Sequence, residues 1–92
     1  MFVVHIYISG FVQGIGFRQF IKSNADKLNI KGWVKNLPDG RVEAMFAGSR
    51  ENIEKMIEIS RKGPFLAEVK SLETEKLPDQ KFENFEIIHR YA

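Results

Sequence analysis

The chain has 92 residues, no cysteine, a formal net charge of +2 and 43% hydrophobic residues. This is one small domain, 1–92, too apolar to be disordered and without disulfides or thiolate metal ligands to hold it. Its weak, dispersed positive charge suits a small anionic substrate but lacks the footprint of a nucleic-acid binder, and no apolar run approaches the ~20 residues of a membrane helix.

Phe2 to Ile8 alternates, with Val4, Ile6 and Ile8 on one face and Val3, His5 and Tyr7 on the other, which predicts a strand with one buried face. Three glycines follow within seven residues, Gly10, Gly14 and Gly16, and predict a tight loop. Phe17, Phe20, Ile21, Ala25 and Leu28 then recur at helical spacing, so a first helix is expected over 17–28, stopped at Asn29. Ile30 to Asn36 and Arg41 to Ala47 read as two strands joined by the turn Leu37-Pro38-Asp39-Gly40, a hairpin. Ser49 and Glu51 open a second helix striped by Ile53, Met56 and Ile57, and Lys62-Gly63-Pro64 closes it. A fourth strand is expected over 67–76, its alternation slipping between Val69 and Leu72 as at a bulge. A last edge strand is expected over 82–88, with Phe85 and Ile87 inward.

This order is β-α-β-β-α-β plus a short C-terminal edge strand. It predicts an α+β, ferredoxin-like α/β sandwich with two helices on one face of an antiparallel sheet. Right-handed crossovers put the third strand between the first and second. The first and second strands are then parallel, ~9.5 Å apart, and end at the same end of the sheet. Asn36 should therefore lie beside the glycine loop.

That loop is where chemistry is expected. A helix start offers free N–H groups and the positive end of a dipole, and successive loop amides form an anion-holding nest. Arg18 sits in the first helical turn, where a cation costs a few tenths to ~1 kcal/mol. No Asp or Glu between Gly10 and Arg18 offsets it. Such a broken local rule is expected at a functional site. A guanidinium fork matches two phosphate oxygens, and a carboxamide can hold a water but cannot take its proton. No Asp, Glu, His, Ser or Cys lies between Gly10 and Arg18 to act as base, and nothing near Ser9 activates it. Phosphate binding plus an oriented water remains.

Two stretches carry a family resemblance: Gly10-Phe11-Val12-Gln13-Gly14-Ile15-Gly16-Phe17-Arg18 and Gly32-Trp33-Val34-Lys35-Asn36-Leu37-Pro38-Asp39-Gly40-Arg41-Val42, with Gly48 beyond. They resemble the two signatures of the acylphosphatases, and the resemblance extends over essentially the whole chain. It implies metal-independent hydrolysis of acyl phosphates, with no cofactor. It also implies that loop amides from Gln13 through Gly14, Ile15, Gly16 and Phe17 to Arg18, with the Arg18 side chain, bind phosphate, while Asn36 orients the attacking water. Phe11 stands where the family usually has arginine and Ile15 where it has valine. Because the family's clasp is mostly backbone, activity is expected to survive both changes.

Two other readings remain. One is a non-catalytic acylphosphatase-like phosphate-binding module. The other is an RNA-binding module using Tyr7 and Trp33 on the open sheet face, set against Arg41, Glu43 and Met45 there and the poor match to RNA-binding motifs. A nucleotide-binding loop would need a Gly-Lys-Ser/Thr ending, which is missing. Lys31, Lys35 and Arg41 read as solvated charges and His5 as an open-face residue with no metal role. The expected partner is a small acyl phosphate, with no nucleic acid and no membrane. The chain start, Met1 to His5, has no basic leader, and the expectation is a cytoplasmic monomer.

Overall fold

The first strand, β1, runs Phe2–Phe11, three residues past the alternating run. The structure is a computed structural model and describes residues 1–89. The extension exists because the fourth strand, β4 (Glu68–Leu77), pairs with it: Gly10 stands opposite Val69 and Phe11 opposite Glu68. The register shifts at Ser9/Gly10, leaving Lys70 as the extra residue of β4, so the slipped alternation is a bulge. Gly10 is thus a strand residue rather than part of the loop. A Cβ there would stand 2.1 Å from the Glu68 carbonyl oxygen, so only glycine allows this close approach.

Helix α1 spans Phe17–Lys27 and buries Phe17, Ile21 and Ala25, with Phe20 and Leu28 packed at the margin of the core. Asn29 turns the chain at φ 55°, and the Ile30 amide donates back to Ala25 O at 2.8 Å. That bond delays the second strand, β2, to Lys31–Asn36. The third, β3, runs Val42–Gly48. Helix α2 is Arg50–Lys62; the Ser49 hydroxyl accepts from the Asn52 amide at 3.2 Å, and Gly63 caps the far end. The last strand, β5, is Phe85–Ile88.

The sheet order is β4-β1-β3-β2-β5. As expected, β3 lies between β1 and β2, antiparallel to both. The edge strand departs from an all-antiparallel sheet: β5 runs parallel to β2, with Lys35 opposite Ile88. The two C-terminal ends therefore lie at the same end of the sheet. The core is one cluster between the sheet and the helices, including Ile6, Ile8, Phe17, Ile21, Val34, Phe46, Ile53 and Met56.

On the opposite face two of the charges expected to be solvated, Lys35 and Arg41, are engaged instead. Lys35 Nζ stands 3.6 Å from Glu43 and 5.3 Å from the Trp33 ring centroid, with its side chain only 13% exposed. Arg41 pairs with Asp39 at 2.8 Å and covers the Tyr7 ring at 4.6 Å. His5 Nε2 lies 2.6 Å from Glu43 Oε2. Aromatic faces on a half-covered sheet attract cations in this way. Burial and the nearby Glu43 carboxylate push the Tyr7 phenol above its ordinary value.

Candidate active site

The loop between β1 and α1 is shaped by two glycines in the left-handed region, Gly14 at φ 77° and Gly16 at φ 79°. A Cβ at either would meet nothing within 4 Å, so backbone conformation and not space requires glycine there. Gly16 is the N-cap of α1 and supplies no side-chain cap, and no acidic residue occupies the first turn. The first backbone bond of the helix runs from Phe20 N to Gly16 O. The Phe17, Arg18 and Gln19 amides precede it and have no intrahelical acceptor.

Those three residues help line a cavity of about 170 Å³, with Val12, Gly14, Gly16, Asn36, Ile87 and His89. That is many times the ~10–15 Å³ that admits one water. Arg18 is half-buried, and among the described residues it has no carboxylate partner within salt-bridge distance. Asn36 enters from the end of β2. Its Oδ1 is buried with no hydrogen-bond partner, an acceptor whose desolvation costs ~1–3 kcal/mol unless something donates to it. A donor-rich helix start, an arginine and an asparagine with an orphaned carboxamide oxygen thus line one space. They can hold an oxyanion and accept from a water beside it.

Of the residues expected at the site, Gly14, Gly16, Phe17, Arg18 and Asn36 line this cavity. Gln13 and Ile15 do not. Ile15 packs against the core and anchors the loop from beneath. The Gln13 side chain turns to the hairpin: its Nε2 donates to Leu37 O and to Arg41 O, both at 2.9 Å. One amide thereby ties the loop to the turn that carries Asn36. No sequence signal distinguished this glutamine from a loop residue. The cavity also includes Val12, Gln19, Ile87 and His89, none of them expected at the site from the sequence. Ile87 and His89 reach it because β5 is parallel to β2, a direction that the hydrophobic alternation of a short edge strand does not encode.

A family model described as Acylphosphatase matches residues 4–87. The chain belongs to the acylphosphatase family. It is 43% identical over 89 residues to the acylphosphatase of Archaeoglobus fulgidus, an alignment covering 97% of this chain and 100% of that relative. Among solved structures, the acylphosphatase from Bacillus subtilis superimposes with a TM-score of 0.93 at 32% identity, covering 96% of this chain and 99% of that one. An acylphosphatase from Coxiella burnetii superimposes at 0.92 with 33% identity, covering 95% and 92%. The family likeness therefore takes in the loop, the hairpin and the α+β sandwich that carries them.

Proposed function

We propose that this chain is an acylphosphatase that hydrolyses the carboxyl–phosphate bond of small acyl phosphates, giving carboxylate and inorganic phosphate. Loop amides from Gly14 to Arg18 and the Arg18 fork take the phosphoryl oxygens. Asn36 holds a water against the phosphorus. The water oxygen bonds to phosphorus as the bond from phosphorus to the acyl oxygen breaks, and the electron pair leaves with the carboxylate. One water proton passes to a phosphoryl oxygen, which fits a site where Asn36 itself cannot accept it. Positioning and charge stabilisation carry phosphoryl transfer of this kind.

The observation that carries this reading is that Asn36, whose buried Oδ1 has no hydrogen-bond partner, lines the same cavity as Arg18 and the uncapped start of α1. An anion-binding module needs the last two and has no use for the first. The reading is tested by phosphate release from acetyl and benzoyl phosphate, with inorganic phosphate as a competitive inhibitor. Turnover of both with phosphate competition is expected. Phosphate binding without turnover would leave the non-catalytic module in its place.

A further inference from the structure

We propose that His89 is a second cation of the phosphate site, one whose protonation tightens oxyanion binding. The proposal rests on the phosphate-site reading above and adds pH control to it. Two observations place the residue. His89 lines the cavity that holds Arg18, Gly14, Gly16 and Asn36. In the parallel β2–β5 register Ile88 lies opposite Lys35, so the chain next brings His89 level with Asn36.

Among the described residues its charged surroundings are simple. From α1, Arg18 reaches the cavity and is permanently cationic, while Gln19 is neutral. Further along α1, Lys22 donates to Asp26 at 3.0 Å and to the Phe85 carbonyl at 2.9 Å, at the start of β5. From β2, Asn36 is neutral, and Lys35 faces Glu43 at 3.6 Å on the other side of the sheet. On β5 itself Glu86 is exposed, opposite Trp33. Among the described residues, no carboxylate lines the cavity.

Imidazole is the side-chain type whose charge ordinarily changes across neutral pH. A dianion in the cavity favours the protonated form, because opposite charges at close range stabilise each other. Protonated imidazole donates from both nitrogens and accepts from neither. In that form an imidazole at the site cannot take the water's proton. Its effect belongs in affinity, and the chemical step keeps its own pH profile.

The probe is sulfate, a dianion throughout this range, so any pH dependence belongs to the protein. Sulfate affinity is read by chemical-shift titration between about pH 5.5 and 8.5 at constant ionic strength, for wild type, His89→Gln and His89→Arg. Wild-type affinity should fall about two- to fivefold as pH rises, the scale of an exposed charge contact. His89→Gln should bind weakly and without slope. His89→Arg should bind tightly and without slope. A flat wild-type profile, or a slope that survives in His89→Gln, overturns the proposal. So does a kcat that rises with pH in wild type and loses that rise in His89→Gln, for His89 would then be a base. If no acyl phosphate is turned over, the hydrolase reading fails while the sulfate titrations still decide His89.

Discussion

Arg18 is worth its awkward place at the start of a helix only if an anion offsets it. A lysine there would keep the charge but lose the planar fork that meets two phosphate oxygens at once. Arg18→Lys should therefore lower kcat/KM for benzoyl phosphate by about 10²-fold or more, the loss seen when one transition-state donor goes. Near-normal hydrolysis would make Arg18 a surface charge. Asn36 separates binding from chemistry. Asn36→Ala removes the acceptor that has no protein donor but leaves the loop amides and Arg18. Its phosphate inhibition constant should stay within about threefold while kcat falls by about 10²-fold, the scale for losing alignment of the reacting atoms. Asn36→Asp should not restore the rate, since a carboxylate cannot donate and repels the dianion. Lost affinity with kept kcat would make Asn36 a binding residue and move water positioning elsewhere.

At the scale of elements, the site depends on how the loop and the hairpin are joined, and that join is Gln13. Its side chain serves two backbone carbonyls at 2.9 Å, Leu37 O and Arg41 O. Gln13→Ala strips a donor from both. The expected cost is ~1–3 kcal/mol, a fall in Tm of roughly 4–24 °C for a domain of this size. Asn36 would also be freed to drift from the loop, so kcat should fall more than phosphate affinity. Unchanged Tm and kcat would show that the turn holds itself, through the Leu37 N to Arg41 O bond at 2.8 Å. The legibility of the sequence follows the same division. Period and turn chemistry revealed the helices, the hairpin and the bulge in β4, because each is a local preference written at its own residues. The placement of Asn36 beside the glycine loop followed from crossover handedness alone. Gln13 was legible as part of the loop but not as its tie, since a glutamine's partners are 24 and 28 residues away. Gly10 read as loop because its reason, the Glu68 carbonyl, comes from a strand at the far end of the chain. His89 was missed for a similar cause: only the parallel pairing of β5 with β2 brings it to Asn36.

At the scale of the whole molecule, the cavity draws on the loop after β1, the start of α1, the end of β2 and the end of β5 with the residue after it. Residues from Val12 to His89 meet only when the entire sheet is assembled, so an unfolded chain has no such site. An oxyanion that binds there must stabilise the fold by mass action. At about ten times its dissociation constant, phosphate should add ~1.4 kcal/mol, which for a domain of this size raises Tm by roughly 6–11 °C. The control is sodium chloride at matched ionic strength, which screens surface charge equally but brings no pair of oxygens for the Arg18 fork. Arg18→Ala should lose most of the phosphate shift. Asn36→Ala should keep it, because the proposed water-holding role contributes little to the bound ground state. This pattern ties stability to the same residues as catalysis but in different proportions. An equal shift with chloride, or a shift that persists undiminished in Arg18→Ala, would mean that phosphate acts on the surface as a salt and that the start of α1 is not where it binds.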